Sequence, residues 1–273
     1  MEAITALALV VAVVAGARST WSPCGVSMLS TITPVTEASR ERRYGLTVGW
    51  FLIGAIAGGA TLGVLAATLA TAVNALDPST TASLAVLAAL ALVAAAFDAR
   101  SLGITLPGHG RQVNESWLTR YRSWVYGIGF GWQIGAGLTT YIVTAAVYLT
   151  VAAAALTASV PVAFGICLVF GLVRGLAIFL GARLTTQARL IEFHRRFETA
   201  RETSRRITIG VLVAVGVTAA WVAAGPIAAV GAAVVSGGVV ATMRPDLMRV
   251  RPTALGSTTR VEIGDRPAAG LIS

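Results

Sequence analysis

The chain has 273 residues, 56% of them hydrophobic and 12% charged, with a formal net charge of +9. That balance excludes a soluble globular protein, and apolar runs long enough to cross a bilayer recur through most of the length, so the class is all-α, a polytopic membrane protein. All 21 basic residues are arginine and most lie between the apolar runs, a pattern of positively charged loops that calls for no nucleic-acid partner.

The first apolar run, residues 3–17, ends on Ala15-Gly16-Ala17, which resembles a signal-peptidase site. Glu2 makes the preceding region acidic, so no cleaved leader is expected. The stretch from Gly16 to Pro34 carries Arg18, Cys24, two prolines and a run of hydroxyls at membrane depth. Taken as one helix, Ala3 to Thr36 would be about 50 Å long against a hydrocarbon core of about 30 Å. A break is therefore required, and Pro23 and Pro34 supply the means. Polar, interrupted backbone at such depth points to a site-lining broken helix, with a Pro-kinked span whose hydroxyls bond their own helix as the simpler alternative.

Residues 44–73 read as the second span, with Gly54-x-x-x-Gly58, Gly59 and Gly63 permitting close helix approach. Asn74–Ser79 is a turn and residues 80–97 the third span. A polar loop, Asp98 to Arg122, holds His109 and four arginines. Trp124 to Leu156 is the fourth span and residues 162–182, containing Cys167 and Arg174, the fifth. Thr185 to Arg206 reads as a basic amphipathic helix at the membrane surface or a cytoplasmic extension of the fifth span. Residues 207–243 are divided by Gly225-Pro226 into two short spans, and the tail from Arg244 is expected to be disordered.

Seven spans place every arginine-bearing loop on one side, with the N-terminus outside the plasma membrane and the tail cytoplasmic; six spans with a long last helix is the alternative. The glycine-to-tryptophan spacing of Gly16–Trp21 recurs at Gly127–Trp132, and Gly54/Gly58 has a counterpart in Gly171/Gly175. These matches suggest an inverted three-helix repeat within a transmembrane domain 1–243. Its parts are a first repeat 3–97, a second repeat 124–224 and an extra helix 226–243, followed by the tail 244–273.

Arg18 and Arg174 are the charges expected inside the membrane, with no Asp or Glu within the apolar spans to neutralise them. With Ser19, Trp21, Ser22, Pro23, Ser27, Trp132 and Gln133 they form the expected substrate-binding set. Cys24, after a proline and beside an arginine, suits thiol–disulfide exchange, while Cys167 sits in a plain apolar helix. Neither His109 nor His194 has a ligand-type neighbour, so no metal or cofactor is expected, and no nucleotide or hydrolytic motif is present.

Ala15-Gly16-x-x-Ser19-x-x-Ser22-Pro23-Cys24 resembles the first-helix motif of the CcdA/DsbD transmembrane family, within the broader LysE-type superfamily. The resemblance implies a fold of inverted three-helix repeats and a relay of reducing equivalents from a thioredoxin-like protein, with Cys24 as the first redox cysteine. The family's fourth-helix Trp-x-Pro-Cys meets Trp132-Gln-Ile-Gly135 here, which keeps the tryptophan and lacks the cysteine. The expected function is thus a thiol-redox conduit. The alternatives are a transporter or exporter of a small anionic solute, and a membrane scaffold that recruits cytoplasmic partners through Thr185–Arg206.

Overall fold

The computed structural model describes residues 1–101, 122–137 and 142–243. Among these the chain is helical throughout, without strands. The helices are α1 (Glu2–Arg18), α2 (Pro23–Thr31), α3 (Pro34–Ala38), α4 (Tyr44–Leu76), α5 (Thr80–Ala99), α6 (Ser123–Ala136), α7 (Ala146–Ala155), α8 (Val160–Leu176) and α9 (Gln187–Ala241). Short 3₁₀ turns, Ser19–Trp21 and Ala177–Gly181, extend α1 and α8. Five of these segments are long and apolar enough to cross a membrane, and α7 is a shorter apolar helix. The protein is an all-α polytopic membrane protein whose exposed Ile53, Ile56, Val64, Val86 and Val93 suit contact with lipid.

The prolines expected to break the first span do so by starting new helices. Ser22 caps α2, its hydroxyl accepting from the Gly25 N–H at 3.1 Å, with Pro23 at the first helical position. Thr33 and Thr36 form a reciprocal capping box on α3, with Pro34 in the same place. The expected fourth span is likewise two helices, α6 and α7, with Gly137 ending the first at φ 70°. The charged segment after residue 185 belongs neither to a separate surface helix nor to the fifth span. It is the first part of α9, continuous with the sixth span and interrupted only where Ala224 and Gly225 leave helical geometry before Pro226. The tail 244–273 and most of the loop with His109 lie outside the described residues.

Helix α4 is the central element, lying between α6 and α8 at backbone contact. A Cβ on Gly131 would lie 2.1 Å from the Phe51 carbonyl oxygen, and one on Gly135 only 2.0 Å from that of Ala55. Gly54 faces Ile128 and Gly58 faces Trp132 and Ala136 in the same way. Residue numbers rise together along this seam, so α4 and α6 run parallel. On the other side Gly59 meets Gly171, Gly63 meets Phe164 and Gly175 meets Leu52 and Ala55, so α4 and α8 run antiparallel. Glycine is needed here because lipid supplies no hydrophobic drive between helices; association rests on backbone-close packing. The main apolar core joins α1, α5, α7, α8 and α9 through Ile4, Leu87, Leu149, Phe170 and Leu212.

Candidate functional site

Two interrupted helices set the polar geometry of the bundle. In the first, α1 ends with Arg18 in its last turn and α2 restarts at Ser22–Pro23, so that Cys24 lies in the opening turn. The return is tight: a Cβ on Gly25 would sit 2.2 Å from the Thr20 carbonyl oxygen. Ser19 donates to the Ala15 carbonyl at 2.7 Å, and Arg18, Ser19, Ser22 and Cys24 are all buried.

In the second, both cut ends face a buried side chain of appropriate charge. Arg174, 3% exposed, lies against the Gly137 cap of α6, where a Cβ would be 3.3 Å from its Nη1, and over the Phe170 ring at 5.7 Å. A cation suits the carbonyl end of a helix. Asp98 sits at the other end: its carboxylate accepts from the Ala145 N–H at 2.7 Å and from the Thr144 hydroxyl, at the start of α7. Arg205 donates to the Asp98 carbonyl at 2.9 Å and holds Glu202, and both Arg18 and Arg205 act electrostatically on the Asp98 carboxylate. An acid is therefore present inside the apolar spans, in the last turn of α5, contrary to expectation. Asp98 reads as the start of a loop in sequence because Arg100 and Ser101 follow it.

Gly137, at the end of α6, faces the Phe170 ring as well as Arg174. Gly16, near the end of α1, stands over Val173 and the Phe170 carbonyl, so residues 170–174 of α8 border both breaks, and the candidate site is the group around them. Not all expected site residues join it. Trp132 lies on the outer face of α6, 37% exposed, donating to the Thr61 hydroxyl at 3.0 Å, and Gln133 beside it is half-buried. Trp21 turns to α9, donating from Nε1 to the Phe197 carbonyl at 2.8 Å. Pro23 and Ser27 are half-buried on α2.

A second buried acid also escaped sequence reasoning. Glu37 on α3 is fully buried; it accepts from Tyr126 at 2.6 Å and from Thr47 at 2.6 Å, and pairs with Arg40 at 3.3 Å. It ties α3, α4 and α6 together at the arginine-bearing end. Its neighbours in sequence are loop-like and charged, and the one signal for it was the Thr-Pro-x-Thr cap just before. Beyond the apolar part of α9, Glu192 is partly exposed. Hydrogen bonds from Arg195 and then Arg196 hold its carboxyl down at about 2. Exposed pairs of this kind contribute little to stability.

Both cysteines are free and buried, Cys24 in the cluster with Met28, Phe51 and Ile178, and Cys167 in the main core. The position where the redox family carries its second cysteine is Gly135, which the α4 backbone leaves no room to substitute.

No protein-family model matches the chain, and no solved structure matches it. Curated relatives do. The chain is 30% identical over 164 residues to the methylamine utilization protein MauF of Paracoccus versutus, covering 60% of each chain. It is 31% identical over 186 residues to MauF of Methylophilus methylotrophus, covering 64% of this chain and 62% of the relative. With MauF of Paracoccus denitrificans the identity is 29% over 183 residues, 63% and 62% of the two chains. The chain thus spans about three fifths of the length of the curated relatives it matches. These names correct the expected membership of the CcdA/DsbD family and, with the closed Gly135 position, the expected thiol-redox conduit; nor do they support the solute-transporter alternative. The chain is similar to MauF proteins of methylamine utilization.

Proposed function

We propose that this chain is an integral membrane component of methylamine utilization or of a closely related amine pathway. The observation that carries the reading is the similarity to MauF proteins from several bacteria, over about three fifths of the chain. Its working centre is the buried group at the two helix breaks: Arg174, with Arg18, Ser19 and Ser22, and with Cys24 as part of the wall. A buried guanidinium is costly and persists where it meets carbonyl groups or a ligand. Trp132 and Gln133 stand apart from that group and serve as surface residues.

The two interrupted helices, each followed by a span of the α4–α8 antiparallel pair, support an inverted repeat of units 3–97 and 124–224. The plasma membrane is the proposed location, with the N-terminus outside and the arginine-bearing loops and tail cytoplasmic. The positive charge between spans supports that orientation. The test is rescue: a Paracoccus denitrificans strain lacking its own MauF, given this chain, is expected to regain growth on methylamine. Membrane-inserted protein with no regained growth contradicts the proposal.

A further inference from the structure

The charged first part of α9 has two unlike sides. Inward, Phe197 lies in the apolar cluster that holds Phe51 of α4 and Phe130 of α6, and Phe193 packs against it. Phe197 also stacks on Trp21, with ring centroids 4.6 Å apart. Outward, Glu192, Arg195, Arg196, Glu202 and Arg206 recur at helical spacing and fall on one stripe. The side chains of Arg195, Arg196 and Arg206 on that stripe are 74%, 78% and 68% exposed.

The depth of the stripe follows from the apolar stretch after it. Residues 207–223 rise about 25 Å at about 1.5 Å per residue, close to a hydrocarbon core of about 30 Å. The ionic stripe therefore begins where the hydrocarbon ends. Around the same apolar cluster Trp50, next to Phe51, and Trp124, near Tyr126, face outward, and tryptophan collects at the headgroup layer. The stripe thus lies at headgroup depth.

Its charges do not cancel. Glu192 accepts from Arg195 at 2.9 Å and pairs with Arg196. Glu202 accepts from Arg205 at 2.8 Å and from Arg206 at 3.0 Å. Each carboxylate is shared by two guanidiniums, so each group of three carries one positive charge in excess. Asp98, on the inner side of Arg205, is offset by Arg18. A guanidinium that gives one edge to a carboxylate keeps N–H donors for a second anion, and a phosphodiester supplies one negative charge with oxygens that match the arginine fork. Ile191 and Ile207, both exposed, flank the stripe and offer apolar contact to acyl chains. We propose that the Glu192–Arg206 face of α9 binds the headgroups of anionic phospholipids, one phosphodiester to each three-residue charge group. At this depth the partner is the bilayer itself rather than a soluble protein.

The test reconstitutes the full chain in vesicles of equal parts phosphatidylglycerol and phosphatidylcholine, with a trace of one or the other carrying the same photoreactive acyl chain. Cross-links are mapped by peptide mass spectrometry. Residues 187–207 are expected to take phosphatidylglycerol over phosphatidylcholine by about fivefold, the factor for one basic charge near anionic headgroups. Arg195→Gln, Arg196→Gln and Arg206→Gln together should bring that ratio to one or below, while the ratio at residues 46–56 of α4 stays unchanged. Glu192→Gln with Glu202→Gln should raise it. Equal labelling of 187–207 by the two lipids overturns the proposal, as does a preference that the arginine variant keeps. A preference abolished by inorganic phosphate at constant ionic strength would mark a site for a soluble anion and overturn it too. So would labelling by neither lipid together with cross-links between protein chains, the mark of a protein interface. The glutamate variant retains every arginine, so it decides the matter even if the arginine variant fails to insert.

Discussion

The tightest glycine contact among the described residues gives the sharpest stability prediction. Gly135 on α6 faces the Ala55 carbonyl of α4, and a Cβ there would lie 2.0 Å from the oxygen. An ordinary contact begins at 3.4 Å, so Gly135→Ala requires a local separation of about 1.4 Å, the difference of those two distances. Neither partner can rotate away, since both clashing groups are backbone. Overpacking of a tight core costs about 1–3 kcal/mol, and here the loss of neighbouring contacts along the glycine seam sets the value toward the upper end. The control is Gly49→Ala in α4, where a Cβ meets nothing within 4 Å. There alanine should stabilise the helix by about 0.5–1 kcal/mol, through lower backbone entropy in the unfolded chain. Reversible unfolding in mixed detergent should therefore separate the two variants by about 2–4 kcal/mol. Equal stabilities would refute the parallel α4–α6 seam.

Other consequences concern the buried acids and thiols. Glu37→Ala strands the Tyr126 and Thr47 hydroxyls and leaves Arg40 unpaired, and should cost about 3–5 kcal/mol in the same unfolding assay; a loss below about 1 kcal/mol would place Glu37 at the surface. Asp98→Asn keeps an acceptor for α7 but loses the anion, and should cost about 1–2 kcal/mol, the value of a charge at a partly buried helix end. Unchanged stability would remove Asp98 from the second break. Cys24 and Cys167 are both 0% exposed, so neither should react with maleimide in native membranes until the protein is denatured. Prompt labelling of Cys24 would mean that the first break is open to water.

The membrane class and the larger helices were legible in the sequence because uncharged apolar runs of this length are stable chiefly as helices within a bilayer. The first break was also legible, since Ser22-Pro23 is a helix-start signal lodged in an apolar run. Partnership was not. Arg174 is conspicuous in sequence, but its neighbour at Gly137 lies in another helix, and nothing local marks a glycine as its packing partner. Asp98 and Glu37 looked like loop charges because both sit within a few residues of arginines, yet both are buried by helices remote in sequence. The motif around Cys24 was a misleading guide: Ser22-Pro23 serves helix capping whether or not a redox cysteine follows. The continuity of α9 was hidden for the opposite reason. Helix boundaries were drawn where polarity changes, but a helix can leave the membrane without ending.

The central claim is that the buried group at the two breaks, and not the cysteine, is where this protein acts in amine utilization. Its most direct test is growth on methylamine of the rescued Paracoccus denitrificans strain carrying Arg174→Gln or Cys24→Ala, each confirmed in the membrane at wild-type abundance. The account predicts that Arg174→Gln loses rescue and Cys24→Ala retains it. Full rescue by Arg174→Gln would contradict it.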